Sequence, residues 1–158
     1  MDLPDINVWL ALVDQNHSHH VAAARYWDEL SHAELAFTRL SMLGLLRLSA
    51  PSRTLSVGEA WRIYEQFASL SHVRFLAEPS GLDAQFHAFT TASSSFSRHL
   101  WTNAYLAAFV CASGCRFVSF DADFARFAGL DFLHLASPAR RGTRDRLAHP
   151  RKLLLRLT

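Results

Sequence analysis

Along the chain, short apolar runs alternate with longer segments whose apolar residues recur at helical spacing. Runs of the first kind are typical of buried strands, and the second kind indicates amphipathic helices. The predicted strands are one that ends at Asp5 and those at 33–40, 72–79, 115–120 and 130–136. The predicted helices are one directly after Asp5, those at 20–31, 40–50, 56–70 and 80–92, and a long one that ends near Gly114.

Local signals predict where several helices begin and end. Pro51 stops the third helix, and Ser56 with Glu59 three residues later predicts a capping box for the fourth. Asn103 stands beside the apolar run "AYLAAFVCA", where an asparagine is a good N-cap. The first helix is expected to bury one face, made of Ile6, Trp9, Leu10 and Val13.

The alternation of strands and helices favours an α/β fold with a parallel sheet that is covered on both faces. In such sheets, ligands bind at the carboxyl ends of the strands, near the point where the strand order reverses. Two predicted strands end in carboxylates. The first ends at Asp5, and the fourth ends at Asp121, with Asp123 two residues later.

Carboxylates gathered at strand ends repel one another, and a hard divalent cation relieves that repulsion. Mg²⁺ takes oxygen ligands, keeps several waters and often binds through a few carboxylates. A second interpretation makes Asp5 the N-cap of the first helix, and Asp121 and Asp123 cap and turn residues. The strand-end positions alone leave both interpretations open.

Composition bounds the class of protein. The chain has 158 residues, half of them hydrophobic, which is enough for one domain with a substantial core. Cys111 and Cys115 are too few and too close for a secreted disulfide framework and are predicted to be core residues. The amino-terminal segment carries acids where a signal peptide carries bases, and no stretch has the length of a membrane span. We therefore expect a cytoplasmic protein with no membrane partner.

The net charge of +2 conceals a basic tail. Residues 137–158 hold seven of the sixteen basic residues and one of the fourteen acids. We expect a domain over 1–136 and a tail over 137–158, which either contacts nucleic acid or is a solvated, disordered or vector-derived extension.

Two further motifs have competing interpretations. The cluster "HSHH", at 17–20, resembles part of a zinc site, but no partner ligands stand at a suitable spacing, so packing or solvated histidines are favoured. The motif "DADF", at 121–124, resembles the DxD of haloacid-dehalogenase-type phosphatases. In those enzymes the pair follows the first strand, which makes a phosphatase the least favoured function.

Five blocks, taken in order, resemble the PIN-domain ribonucleases of the VapC toxin type. They span Asp2 to Leu135 and read "LPDINVWLAL", "HSHHVAAARYW", "FTRLSMLGLLRLSAP", "LWTNAYLAAF" and "FVSFDADFARF". The resemblance implies a three-layer α/β/α sandwich around a mainly parallel sheet of about five strands. It also implies an acidic group that holds Mg²⁺ or Mn²⁺ for cleavage of RNA.

The resemblance assigns the site residue by residue. Asp5 matches the first acid, and Asp121, in a "TFD"-like block, matches the fourth, with Asp123 close enough to join the metal shell. The second and third acids are missing. Gly44 replaces the glutamate of an "ELLR"-like block, and Asn103 replaces the aspartate of a "TDAYLAA"-like block. Metal affinity is therefore expected to be weaker than in a complete site.

Three explanations for Asn103 are open: an engineered change that silences a toxin, drift in a protein kept for binding, or remaining acids that suffice. The first hypothesis for function is a metal-dependent endoribonuclease that cleaves structured RNA, with Arg39 and Arg47 as candidate phosphate contacts. The second is a silent PIN-like module that pairs with an antitoxin or with itself. The resemblance also implies a homodimer and an antitoxin that inserts a peptide near the acidic pocket.

Overall fold

The computed structural model describes residues 1–29, 34–49, 56–92 and 100–136. Within these ranges, five strands form one sheet in the order β3-β2-β1-β4-β5, and each neighbouring pair is parallel. The strands are β1 Asp2–Pro4, β2 Leu35–Phe37, β3 Val73–Phe75, β4 Arg116–Ser119 and β5 Phe132–His134. The helices are α1 Ile6–Val13, α2 His20–Glu29, α3 Arg39–Ser49, α4 Val57–Ala68, α5 Leu82–Thr91 and α6 Leu100–Ser113, and a 3-10 helix covers Ala122–Arg126.

The sheet is the middle of three layers. Successive side chains of a strand point to opposite faces, and in β4 Phe117 and Val118 enter two different hydrophobic cores. Val118 lies in the core that the sheet forms with α1 to α4, whereas Phe117 lies in the core formed with α5 and α6. The expected α/β/α sandwich around a parallel sheet is confirmed.

The predicted buried face of α1 is wrong in part. Trp9 is fully buried, where it stacks on Phe37 at 4.0 Å between ring centroids. The other three predicted residues are only partly buried, while the more deeply buried ones are Val8, Ala11 and Leu12. The reason is that α1 packs against α2, α3 and β4, so the sheet and two helices cover it from several sides.

The predicted second strand, 33–40, extends too far at its carboxyl end. Thr38 and Ser41 cap each other: the Thr38 amide donates to Ser41 Oγ at 2.9 Å, and the Ser41 amide donates to Thr38 Oγ1 at 3.2 Å. This reciprocal bonding begins α3 at Arg39, so Arg39 is a helix residue and not the end of a strand.

The predicted capping box of α4 is confirmed. The Ser56 amide donates to Glu59 Oε2 at 2.6 Å, and the Glu59 amide donates to Ser56 Oγ at 3.3 Å. Gly114 directly follows α6 and has φ of +65°, a left-handed conformation that favours glycine. The end of α6 is therefore where the sequence predicts it.

Cys115 is buried and Cys111 is half-buried, and both are free thiols, as expected of core residues. None of the helices in the described ranges combines the length and apolar character that a bilayer crossing requires. Pro51, the polar segment 93–99 and the basic tail 137–158 lie outside the described residues.

An ion pair between a buried carboxylate and a half-buried arginine joins β1 and β4 at the amino edge of the sheet. Asp2 is 5% exposed and accepts from Arg116 Nε at 2.9 Å and Nη2 at 2.7 Å. The hydroxyl of Tyr26 donates to the same carboxylate at 2.9 Å. Asp2 therefore keeps three donors despite its burial, which offsets the cost of removing its charge from water.

Arg116→Met is expected to lower the free energy of unfolding by about 2 kcal/mol, because it leaves a buried carboxylate with one hydroxyl partner. Urea unfolding checks this value, and Arg74→Met is the matched control because the Arg74–Glu34 pair is exposed. The double variant Asp2→Asn/Arg116→Met should recover part of the loss. Equal effects of Arg116→Met and Arg74→Met would contradict the assignment.

Candidate functional site

The two strand-end carboxylates meet where the strand order reverses. From β1 the chain continues to β2 on one side, while β4 pairs with β1 on the other side. Asp5 directly follows β1, and Asp121 follows β4 after one residue. Because both strands are parallel, both carboxylates lie at the carboxyl edge of the sheet, where ligands bind in folds of this kind.

Asp5 is almost fully enclosed, with 7% of its surface exposed. Its Oδ1 accepts from the Ile6 amide at 2.7 Å, so it is the N-cap of α1, as one of the two sequence interpretations held. Its Oδ2 accepts from Ser119 Oγ at 2.7 Å and from Asn7 Nδ2 at 2.8 Å. The three donors hold the carboxylate in one orientation, so capping and a functional role are compatible.

The environment of Asp5 disfavours its charged form. Burial raises the pKa of this carboxyl above its ordinary value, and the nearby charge of Asp121 adds to the rise. The hydrogen bonds from Ser119 and Ile6 act in the opposite direction but do not cancel the effect of burial. Two close carboxylates, one of them desolvated, form a site where a positive charge is favourable.

Sequence reasoning missed two residues of the site, Asn7 and Ser119. Ser119 is fully buried; its hydroxyl donates to Asp5 and accepts from Asn7 Nδ2 at 2.9 Å and from the Asp121 amide at 3.0 Å. Asn7 also accepts from the Phe120 amide at 3.3 Å. These bonds join residues about 112 positions apart in sequence. The only signal in the sequence was their position, because Asn7 lies two residues after Asp5 and Ser119 lies two residues before Asp121.

Asn103 lies beside Asp121. Its Nδ2 donates to Asp121 Oδ2 at 3.3 Å, and the residue is half-buried. The prediction that Asn103 is an N-cap is wrong, because α6 begins three residues earlier, at Leu100. Asn103 lies in the first turn of α6, and its side chain reaches Asp121.

The other three predicted site residues are exposed. The Asp123 amide donates to Asp121 Oδ1 at 2.9 Å, which makes Asp121 the cap of the 3-10 helix, but Asp123 itself is exposed. Arg39 is exposed at the start of α3, with its guanidinium carbon 4.8 Å from the ring centroid of Phe75. Arg47 lies in the last turn of α3, about 12 Å farther along the helix axis, away from the carboxyl edge.

The histidines of "HSHH" pack against the protein. His20 is buried and its Nδ1 bonds to the carbonyl of Ala11 at 2.7 Å, while His19 stacks on Phe120 at 4.3 Å between ring centroids. His134 Nε2 bonds to the carbonyl of Phe120 at 3.2 Å. Phe120 is therefore held from two sides, immediately before Asp121.

Gly44 brings α3 close to the first residue of α1. A Cβ atom built at this position would lie 3.1 Å from Ile6 Cγ1 and 3.3 Å from Ile6 Cδ1. A side chain at this position needs the Ile6 side chain to give way by a few tenths of an ångström, while the bond from the Ile6 amide to Asp5 holds the Ile6 backbone in place. The position where the resemblance expects a second carboxylate is thus packed tightly against an apolar side chain.

A glutamate at position 44 is expected to improve metal binding only when Ile6 is shortened. Gly44→Glu alone should leave metal affinity near the native value, whereas Gly44→Glu/Ile6→Ala should bind Mn²⁺ about tenfold more tightly, since ligand charge sets affinity. Calorimetric titration measures this, with Ile6→Ala alone as the control. Equal affinities of the single and double glutamate variants would show that Ile6 does not obstruct the position.

The donor set fits one kind of metal site. In the described ranges, no three histidine, cysteine, aspartate or glutamate side chains are grouped closely enough to hold a metal ion by themselves. Asp5 and Asp121 supply two carboxylates, and Asn103 adds an amide oxygen if its side chain turns. Mg²⁺ commonly keeps several waters and binds through one or two carboxylates together with substrate phosphate. The residues therefore fit a largely hydrated ion and do not fit a cage of four carboxylates.

Comparison with known proteins gives one family and several relatives. The sequence matches the family model described as PIN domain over residues 3–130. Ribonuclease VapC41 of Mycobacterium tuberculosis is 35% identical over 147 residues, which cover 86% of this chain and 99% of that relative. Ribonuclease VapC33 of the same organism is 29% identical over 137 residues, which cover 82% and 94%.

Solved structures have the same fold. The crystal structure of VapBC2 from Rickettsia felis, bound to a DNA fragment from their promoter, aligns with a TM-score of 0.64 and 10% identity, over 85% of this chain and 98% of that one. The structure of VapC20 from Mycobacterium tuberculosis, a sarcin-ricin loop cleaving toxin, aligns with a TM-score of 0.62 and 16% identity, over 83% and 98%.

Proposed function

Because the chain belongs to the PIN domain family, we propose that it is an endoribonuclease and the toxin of a toxin-antitoxin pair. The observation that carries this proposal is the Asp5–Asp121 pair at the point where the strand order reverses, linked by the hydroxyl of Ser119. Relatives that span nearly the full chain carry the name ribonuclease.

Mg²⁺ or Mn²⁺ is the proposed cofactor, held by Asp5 and Asp121. A bound ion of this kind lowers the pKa of a coordinated water and polarises the scissile phosphate. Asp5 is the proposed chief ligand, because Ser119 and Asn7 fix its orientation before anything binds. Such fixed geometry avoids the cost of ordering the carboxylate during the reaction.

The remaining residues have supporting roles. Asn103 offers a neutral oxygen in place of a direct anionic ligand, and its present bond to Asp121 holds that carboxylate in place. Asp123 is proposed to orient water from the exposed rim of the site. Arg39, at the carboxyl edge, is a better placed phosphate contact than Arg47, which lies at the far end of α3.

The test is incubation of total RNA and structured transcripts with the purified chain, with Mg²⁺ or Mn²⁺ and with a chelator. Cleavage at discrete positions that the chelator abolishes is the expected result. Asp121→Asn should lose this activity, and Asp131→Asn, an exposed carboxylate at the opposite edge, is the matched control. RNA that stays intact with both metals would contradict the proposal for this chain.

A second candidate function is a silent module that binds a partner without chemistry. The neutral residues at two expected acid positions, Gly44 and Asn103, favour it. It predicts tight binding of an antitoxin with no metal-dependent cleavage, even in Asn103→Asp. The comparison structure of a toxin with its antitoxin supports a protein partner for this chain under either function.

Further features of the proposal concern assembly and the tail. A homodimer is proposed, and sedimentation of the purified chain tests it. Residues 1–136 are proposed to form the catalytic domain, and the basic segment 137–158 is proposed to add salt-dependent affinity for RNA. A chain ending at residue 136 should then bind RNA with a shallower dependence on salt.

A further inference from the structure

A groove of about 380 Å³ opens at the carboxyl edge of the sheet, beside the acidic pair. It lies between the start of α3, the segment after β3 and the first two turns of α6. Its walls are formed mainly by Arg39, Leu40, Leu43, Glu78, Trp101 and Tyr105. The functional roles assigned above use only Arg39 among these residues.

The groove continues the proposed RNA path. Thr102 lines it, and the next residue, Asn103, is bonded to Asp121 in the acidic site. Arg39 enters the groove from the first residue of α3, and Glu78 enters it from the segment that follows β3. The acidic site and the groove are therefore neighbours on α6, and a single strand of RNA bound at one can extend toward the other.

The apolar part of the groove suits a flat ring. Trp101 is 50% exposed, although it packs edge-on against Phe86 at 6.0 Å between ring centroids. Leu43, on the opposite wall, is 52% exposed. An exposed indole and an exposed aliphatic side chain that line one groove can hold an unpaired base by stacking, the usual way in which proteins bind single-stranded RNA.

The polar part of the groove contains a carboxylate, Glu78. Glu78 Oε1 accepts from the hydroxyl of Tyr105 at 2.6 Å, and a carboxylate has capacity for further donors. Burial and this bond raise the pKa of Tyr105 well above its ordinary value, so the hydroxyl keeps its proton and fixes the carboxylate. Guanine is the base whose pairing edge presents two adjacent N–H donors, which match a carboxylate.

Arg39 supplies the positive charge. Its guanidinium is held over the ring of Phe75 and close to the sulfur of Met42, at 3.6 Å from Nη1, which leaves donors directed outward. An exposed arginine fixed in this way is suited to a phosphate oxygen. The groove therefore presents a cation for the backbone and an anion for the base.

We propose that this groove binds an unpaired guanine of the RNA substrate, with its ring against Trp101, its N1–H and N2–H donating to Glu78, and its phosphate at Arg39. The inference rests on the proposed nuclease function and specifies its substrate. The chain then cleaves RNA near a single-stranded guanine.

The test measures binding without cleavage. A fluorescein-labelled eight-nucleotide oligouridine that carries one central guanosine is titrated in chelator and followed by anisotropy, beside versions with adenosine or inosine. The guanosine version should bind about tenfold more tightly than the adenosine version, as a bidentate base contact does. Inosine, which lacks the N2 amine, should lie between them.

Three variants assign the effect to the groove. Glu78→Gln should remove the preference for guanosine, and Trp101→Leu should weaken binding of every oligonucleotide about tenfold by loss of stacking. Glu65→Gln, an exposed carboxylate on α4, is the control and should bind as the native chain does.

Equal binding of guanosine and adenosine versions, or a preference that survives Glu78→Gln, would overturn the guanine assignment. Unchanged oligonucleotide binding by Trp101→Leu, with loss of antitoxin binding, would overturn it too and assign the groove to a protein partner. A guanosine preference that depends on Glu78, together with RNA that is never cleaved, would support the guanine site and refute the nuclease function.

Discussion

Asn103→Asp is expected to raise metal-dependent cleavage of RNA by about 10- to 100-fold, the range in which metal sites respond to changes around the ion. The substitution replaces the Asn103 amide group, whose Nδ2 lies 3.3 Å from Asp121 Oδ2, with a carboxylate. It adds a third anionic donor to the pair of Asp5 and Asp121, and affinity for Mg²⁺ or Mn²⁺ rises with ligand charge.

The same substitution should destabilise the protein when metal is absent. The hydrogen bond from Asn103 Nδ2 is replaced by repulsion between two carboxylates, next to the desolvated Asp5. Thermal unfolding is therefore expected to show a lower midpoint in chelator and a larger rise with Mn²⁺ than in the native chain. This opposite response in the two conditions distinguishes a metal ligand from a change that only alters folding.

Asn16→Asp is the matched control, because it adds the same charge in an exposed turn. It should change neither cleavage nor the response of the midpoint to metal. If Asn103→Asp behaves like this control in both measurements, position 103 takes no part in metal binding.

Asp5→Asn is expected to reduce cleavage by about 10³-fold or more, because it would remove the proposed chief ligand of a metal ion that would stabilise charge in the transition state. An asparagine can still accept from the Ile6 amide and cap α1, so the chain should remain folded. Initial rates at saturating Mn²⁺ measure the effect. Ser119→Ala is the comparison, and it should lose less, since it removes only a donor to the carboxylate.

The stability of Asp5→Asn also tests the electrostatics of the site. Burial is the main cause that raises the pKa of Asp5 in the folded protein. Ionisation of Asp5 therefore lowers the free energy of unfolding at a pH above this raised pKa. It has no effect at a pH below the pKa of the unfolded chain, about 3.9. In chelator, the native chain should therefore gain stability relative to Asp5→Asn as the pH falls from 7 to 4. The gain is about 1.4 kcal/mol for each unit between the two pKa values. A relative loss over this range would contradict the raised pKa.

The position of the site could be predicted from the sequence because it depends on topology. Asp5 and Asp121 each follow a short apolar strand, and parallel strands deliver such residues to one edge of a sheet. This conclusion does not require the order of the strands in the sheet. The alternation of apolar and helical segments was sufficient for the α/β/α fold as well.

The hydrogen bonds within the site could not be predicted, because they depend on strand register. Pro4 pairs with Val118, and this pairing places Ser119 against Asp5 and Asn7. Nothing within a few residues of Ser119 in the sequence indicates this partner. Asn103 was assigned to a helix end because the start of α6 depends on packing of the buried Leu100, which local signals do not reveal.

The groove beside the site was missed for a related reason. Its walls come from α3, the segment after β3 and α6, and each residue has an ordinary interpretation in its own segment. The sequence around Trp101 and Leu43 is typical of apolar helix faces that are buried, but about half of the surface of each residue is exposed. Only the arrangement of the three segments brings these residues together with Glu78.

The chemistry of the RNA ends tests the central claim most directly. Hydrolysis in which water attacks the phosphorus and expels the 3′ oxygen would leave a 5′-phosphate and a 3′-hydroxyl, the ends expected if Asp5 and Asp121 hold a metal ion. End analysis of the products formed by the native chain, Asn103→Asp and Asp5→Asn with Mn²⁺ is expected to show these ends, most in Asn103→Asp and none in Asp5→Asn. Products with 2′,3′-cyclic phosphates, or 5′-phosphate products in equal amounts from all three proteins, would contradict a metal-dependent nuclease centred on Asp5.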